Sequence, residues 1–263
     1  MEARRGAVGT EDGRVQACRI DPLADPRWAE LIERAPGASV FHHPLWLSLV
    51  SESYRYPIDA VCLQQPGGVG ALVAGLPIAT IRSRLTGTRL VSVPFSDVCA
   101  PVALSGEYER ALLAAVDDER VRRGLRLEVH AAVPLLPEGA TSERFYRHLV
   151  PLDGGRDEVL RRVAQQKRRA AAKATKLGVK LSRRTDAGAL DEFFRLQVLT
   201  RHKLGLPTQP RAFFRGLTRL FERDLGFVLV AEWEGTPIAA SVFLRHRETL
   251  TYKYGGSDPK QLD

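Results

Sequence analysis

With 263 residues, 44% hydrophobic and 27% charged, the chain is ordinary globular material that can bury a sizeable core, as one large domain or two modest ones. Cys18, Cys62 and Cys99 are widely spaced, odd in number and outside any C-x-x-C pair, which excludes a disulfide framework and a cysteine zinc site and fits a reducing compartment. The formal net charge of +8 is concentrated: residues 156–184 hold eleven Lys and Arg against Asp157 and Glu158, a net of +9, so the remainder sums to −1 and the basicity belongs to one element.

Residues 1–14 are polar and lack the apolar h-region of a secretory signal, so they read as a disordered leader of a cytoplasmic protein. A first strand follows at 15–20. Pro26 early and Gly37 late bracket a helix over 26–34, and Leu45, Trp46, Leu49, Val50 and Tyr54 recur at helical spacing in a second helix over 42–54. Residues 58–63, 70–81 and 88–93 are β-rich runs separated by turn-forming stretches, which predicts an antiparallel meander. The longest uncharged stretch, 60–81, contains Pro66, Gly67, Gly68, Gly70, Gly75 and Pro77, and is a hairpin rather than a membrane span. A helix over 107–124 ends on a glycine and leads into a strand over 125–131, giving the order βααβββαβ.

Residues 157–177 are predicted as one basic helix with a narrow apolar stripe, stopped by Gly178. The order then restarts, with a strand at 179–183, helices at 190–201 and 211–224, and strands at 227–233, 238–246 and 250–254. Two local matches fall at the same place in the repeat: Gly75-Leu76-Pro77-Ile78-Ala79 against Gly235-Thr236-Pro237-Ile238-Ala239, and Ser96-Asp97 against Ser257-Asp258. They predict a duplicated architecture whose second copy stops before its closing helix and strand.

This order of elements, with Phe41-His42-His43-Pro44-Leu45-Trp46, the run Arg89 to Asp97, Lys167-Arg168-Arg169, the run Arg201 to Pro207 and Gly235 to Ala240, resembles the FemAB-like branch of the GNAT acyltransferase superfamily. The resemblance implies an α/β (α+β) protein of two GNAT-like domains, each a mixed, largely antiparallel central sheet flanked by helices. Their expected bounds are 15–153 and 179–263, the second truncated, joined by a basic linking helix over 154–178. It implies transfer of an acyl or aminoacyl group to an amine acceptor, plausibly a cell-envelope peptidoglycan precursor. No tightly bound cofactor is expected, and the donor is either an acyl-CoA or an aminoacyl-tRNA. The Arg/Gln-x-x-Gly-x-Gly/Ala loop that holds the coenzyme A pyrophosphate in typical GNAT enzymes is not legible in either half, which puts coenzyme A in doubt.

Asp97 and Ser96, at the open end of a central strand, are the candidate catalytic pair, able to orient an acceptor amine or take its proton, and they read equally as a strand-terminating turn. Lys167, Arg168, Arg169 and Lys173 are candidate contacts to phosphates of tRNA or of a nucleotide- or lipid-linked precursor, the latter with peripheral membrane association, or else a solvated helix face. Arg201 and Lys203 add anion contacts or serve a helix C-terminus. Tyr252, Tyr254, Gly255, Gly256 and Ser257 offer alternate side chains and close backbone approach to a ligand, or core and turn roles. His42 and His43 are adjacent and have no histidine partner at helical spacing, so no metal is expected. Hydrolase, P-loop and dinucleotide glycine motifs are absent. A non-catalytic RNA-binding or scaffold protein using the basic helix alone is the alternative.

Overall fold

The computed structural model describes residues 15–66, 70–131 and 143–261; the leader expected over 1–14 lies outside them. In chain order the elements are β1 (Gln16–Ile20), α1 (Pro26–Arg34), a 3-10 turn (Val40–His42), α2 (Pro44–Tyr54), β2 (Ile58–Gln64), β3 (Leu72–Ser83), β4 (Gly87–Val91), β5 (Val102–Ala103), α3 (Gly106–Arg123) and β6 (Arg126–Glu128). They continue as α4 (Gly155–Arg162), α5 (Gln165–Lys176), β7 (Lys180–Arg184), α6 (Ala187–Lys203), α7 (Arg211–Gly216), α8 (Thr218–Phe221), β8 (Gly226–Trp233), β9 (Thr236–His246) and β10 (Thr249–Ser257). The chain forms two compact units, one from Met1–Leu135, Gly216–Leu225 and Arg245–Leu250, the other from Leu136–Arg215, Gly226–Leu244 and Thr251–Asp263.

The sheet of the first unit runs β1-β2-β3-β4-β6, antiparallel except for the parallel pair β4–β6 that the crossover helix α3 connects. Because strand side chains alternate, Val61, Leu63, Leu76, Ile78 and Leu90 share one face, and α3 buries Ala111, Leu112, Ala115 and Val116 against it. Ser105 Oγ caps the start of α3, and Gly124 ends it in the left-handed region at φ 62°. The opposite face meets α1, whose Trp28 ring approaches so closely that a Cβ on Gly75 would lie 2.6 Å from it. α1 begins at Pro26 with the Asp25 carboxylate accepting from Arg27 N at 3.0 Å. Its last carbonyls accept from the guanidinium of Arg247, in a segment that belongs to this same unit: Ile32 O at 2.6 Å and Ala35 O at 3.1 Å.

β4 and β5 both run antiparallel to β3, β4 pairing Val91 with Ala79 and β5 pairing Val102 with Gly75. Between these two points the chain leaves the sheet and returns, so residues 92–101 form an excursion from one interrupted strand. That excursion explains how a proline survives inside a central strand. Thr80 N–H bonds toward β2, at Pro57 O, so Pro77 faces the β4 side, where no strand asks for its missing N–H.

The second unit has the sheet order β10-β9-β8-β7, antiparallel in β7–β8 and β8–β9. Helix α6 buries Ala189, Leu190, Phe193, Leu196 and Gln197, and Phe193, Phe213, Phe214 and Tyr254 form an aromatic cluster with centroids 5.2–6.4 Å apart. On the other face Arg183 lies 4.5 Å over the Phe227 ring, Phe227 stacks on Phe243 and Tyr252 meets Phe243 edge-on, a row that crosses all four strands.

The strand–helix–helix–meander order expected twice is present in both sheets. Three expectations differ. The basic segment is two helices, broken at Val163 and Ala164, which are extended although neither is Gly or Pro. The helix expected over 211–224 is interrupted between α7 and α8. The two Gly-x-Pro-Ile-Ala motifs are not equivalent: Gly75 lies inside β3, whereas Gly235, at φ 76°, closes with Glu234 the two-residue turn from β8 to β9.

The two kinds of glycine constraint are separable. A Cβ at Gly256 would sit 2.6 Å from Gln197 N and 2.8 Å from Leu196 C, so Gly256→Val forces β10 and α6 apart and is expected to cost at least ~1–3 kcal/mol. Gly235→Ala meets open space and costs only its left-handed backbone, ~1 kcal/mol. Urea unfolding of the two variants should preserve that ranking.

Candidate functional site

The excursion after β4 is tied at both ends to one residue. Ser92 Oγ accepts from His130 N at 2.8 Å, and Cys99 N donates to His130 O at 2.8 Å, so residues 93–98 project from the end of the parallel β4–β6 pair. Two non-glycine residues there have positive φ, Val93 at 56° and Phe95 at 64°, and Val93 is β-branched and fully buried. Such backbone persists only where its surroundings over-determine it. Here Phe95 stacks on Tyr54 at 4.3 Å, Trp46 Nε1 donates to Ser96 Oγ at 3.0 Å, and His42 reaches Ala100 O at 2.9 Å. Ser96 is therefore buried with its oxygen already accepting a bond, while Asp97, the next residue, is exposed.

The histidines of the Phe41-to-Trp46 run are scaffold. His43 Nδ1 accepts from Leu45 N at 3.1 Å and caps α2. His42 Nδ1 accepts from Ser39 N at 3.1 Å, which leaves Nε2–H to donate to Ala100 O and fixes one neutral tautomer. Burial pushes the His42 pKa down to about 4, against partial support for the cation from the Ala100 carbonyl. His43 and His246 are lowered too, first by burial, with Glu33 opposing. Among the described residues no group of three His, Cys, Asp or Glu is arranged to hold a metal.

In the second unit, α6 and the end of β10 come together. Thr200 Oγ1 accepts from Ser257 N at 2.9 Å and donates to Ser257 O at 3.2 Å. With its amide oriented to satisfy both partners, Gln197 donates to Gly255 O at 2.8 Å and accepts from Arg201 Nε at 3.2 Å. So Arg201, Gly255, Gly256 and Ser257 converge, through Gln197 and Thr200, which the sequence reading missed; both lie on the face of α6 turned to β10, a signal visible only once that pairing is known. The strand does not stop at Tyr254: Gly255 and Gly256 are inside β10, and Gly256 is glycine because α6 backbone lies against it, not a ligand. Tyr254 is buried in the aromatic cluster, Tyr252 is exposed, and Lys203 is exposed at the end of α6.

Lys167, Arg168, Arg169 and Lys173 all lie on α5, which buries none of its residues. Trp233 Nε1, donating to Leu177 O at 3.0 Å, anchors its C-terminal end. The N-terminus of α3, where a GNAT-type fold would offer backbone N–H groups to a pyrophosphate, carries Glu107 and Glu109 in its first turn. Those carboxylates oppose an anion there, and no glycine lies in residues 93–101, so this terminus does not fit the diphosphate of coenzyme A.

Two measurements test the clamp on the excursion. Trp46→Phe removes the indole N–H and leaves a buried hydroxyl without its donor, an expected loss of about 1–3 kcal/mol in urea unfolding. In the unfolded chain His42 takes a proton at its ordinary pKa of 6.5, but in the folded chain only near 4, so the unfolded state binds more protons in between. Stability from this residue is complete above pH 6.5 and falls, by an amount on the order of 3 kcal/mol, as pH drops toward 4. His42→Gln should flatten the profile over that window.

Residues 160–261 match the family model described as an acetyltransferase (GNAT) domain. Over 80 residues the chain is 29% identical to the UDP-N-acetylmuramoylpentapeptide-lysine N(6)-alanyltransferase of Weissella viridescens, a stretch covering 30% of this chain and 24% of that curated relative's length. The solved structure of FemX superposes with a TM-score of 0.64 at 13% identity, covering 93% of this chain and 81% of that one, a likeness of fold. Residues 160–261 are thus similar in sequence to a GNAT acetyltransferase domain, and nearly the whole chain shares the fold of FemX.

Proposed function

We propose that the protein is an N-acyltransferase that joins an activated acyl or aminoacyl group to an amine of a peptidoglycan precursor. The observation that carries this reading is the GNAT domain match over 160–261 on a FemX-like fold. The alanyltransferase relative, whose name specifies a lysine N6 amine on a muramoylpentapeptide, supplies the acceptor class. The chemistry is attack of a neutral amine on a carbonyl carbon, loss of the amine proton and collapse with departure of the donor's oxygen or sulfur. Positioning and oxyanion stabilisation supply most of the rate, and no covalent enzyme intermediate is needed.

In this reading Asp97 takes or orients the amine proton, and Ser96 acts as a positioning residue held by Trp46. The rigid, projecting backbone of residues 93–98 suits that role, since a carboxylate on a floppy loop would lose the geometry that makes a base effective. Aminoacyl-tRNA is the preferred donor: the acidic first turn of α3 opposes a coenzyme A diphosphate, and the exposed cations of α5 suit a polyphosphate backbone. The non-catalytic RNA-binding or scaffold alternative finds no support in the comparisons.

The assay supplies radiolabelled aminoacyl-tRNA or acetyl-CoA with a UDP-muramoyl peptide bearing a free lysine amine. Label should pass to the peptide from aminoacyl-tRNA, and Asp97→Asn should lower kcat by roughly 10²- to 10⁴-fold with the fold intact by circular dichroism. Neutralising Lys167, Arg168 and Arg169 together should raise KM for the tRNA donor, more so at low salt. No transfer from either donor to any amine would remove the proposal.

A further inference from the structure

The face of the first sheet that α3 covers changes character beyond the helix. Along β3 it reads Ala74, Leu76, Ile78 under the helix and then Thr80 and Arg82; β2 goes from Leu63 and Val61 to Asp59, and β4 from Leu90 to Thr88. The C-terminal turn of α3 and this polar end of the sheet enclose an open groove of about 580 Å³, lined by Arg19, Arg82, Arg122 and Arg123.

Charge in the groove does not balance. Arg19 pairs with Asp59 and Glu119, Arg123 with the same two carboxylates at 3.0 and 2.6 Å, and Arg122 with Glu119 at 2.6 Å. Burial alone would raise the Glu119 carboxyl, but the Arg122 and Arg123 forks reverse this and hold it below the usual range, so it is a committed anion. Three guanidinium groups thus share two carboxylates. Arg82 is exposed, and among the described residues no hydrogen bond or ion pair engages its side chain. The side-chain hydroxyls of Thr80 and Thr88, which also line the groove, are likewise uncommitted.

We infer that this groove is a binding site for a phosphate or diphosphate group. Two unmatched positive charges complement a dianion better than a carboxylate. Planar forks with hydroxyl donors beside them provide the several charge-assisted bonds that a tetrahedral oxyanion accepts. The surplus faces the negative end of α3, where Gly124 N and Leu125 N already take the carbonyls of Val121 and Arg120. The site lies wholly within the first unit and does not depend on the transferase reading.

The test is isothermal titration of the full chain with inorganic pyrophosphate and, separately, uridine diphosphate at low salt, for wild type, Arg82→Glu and an Arg223→Glu control of the same charge change at an exposed position outside the groove. Arg82→Glu is expected to weaken binding by about tenfold or more, and the Arg223 control to leave it unchanged. Equal binding of the two ligands assigns recognition to the phosphates alone, and tighter uridine diphosphate adds a nucleoside contact; both support the site. Should Arg82→Glu fail to fold, Arg82→Gln is read in its place. Undiminished binding by the Arg82 variants, an equal loss of binding in the Arg223 control, or no wild-type binding would overturn the inference.

Discussion

The catalytic reading of the first unit depends on one constraint, the fixing of a chain excursion in a backbone shape it would not choose. Val93 and Phe95 hold left-handed φ values that cost on the order of 1–3 kcal/mol each. The surroundings offset this with bonds of known geometry, from the His130 backbone at both ends, from Trp46 at Ser96 and from His42 at Ala100. Because these donors and acceptors are buried, leaving any of them unmade would itself be costly, so the arrangement behaves as a unit. The glycine-free excursion thereby gains a rigidity that glycines would have forfeited.

The two sheets share an order of elements but solve local problems differently. In the first, Gly75 admits Trp28 against the face of β3; in the second, Gly256 admits the backbone of α6 against β10. The shared Gly-x-Pro-Ile-Ala string therefore marks no common position, since one copy lies within a strand and the other at a turn. Likeness between the halves lies in the order of elements and in the strands' antiparallel pairing rather than in that pentapeptide.

What could be read from the chain alone follows from which forces are local. Helix α1 was legible to the residue, because Pro26 at its start and Gly37 past its end bracket it in one dimension. The meander was legible through β-rich runs between turns. Three things were not. The break at Val163 and Ala164 has no local cause in residue type. The continuation of β10 through Gly255 and Gly256 is dictated by α6, distant in sequence, so two glycines that looked like a turn are a packing device. The excursion at 92–101 was read only as a strand end with Ser96 and Asp97 on it, since nothing in its composition announces two left-handed non-glycine residues. The basic character of α5 needed only counting, whereas the arginine groove needed β1, β2, β3 and α3 to be placed side by side.

The bond from Arg247 to the end of α1 spans 215 residues at Ile32 and 212 at Ala35. A polypeptide leaves the ribosome from its N-terminus, so α1 is made 212 residues or more before the guanidinium that finishes it. During that interval its terminal carbonyls have only water as partner, and the first unit, which also recruits residues 216–225, is topologically unfinished. Closing so distant a contact carries an entropic cost that rises only slowly with separation, so the delay is one of sequence order more than of energy. Co-translational maturation of this protein must therefore proceed in an interleaved manner, the first sheet waiting for a hairpin tip encoded 215 residues downstream of Ile32.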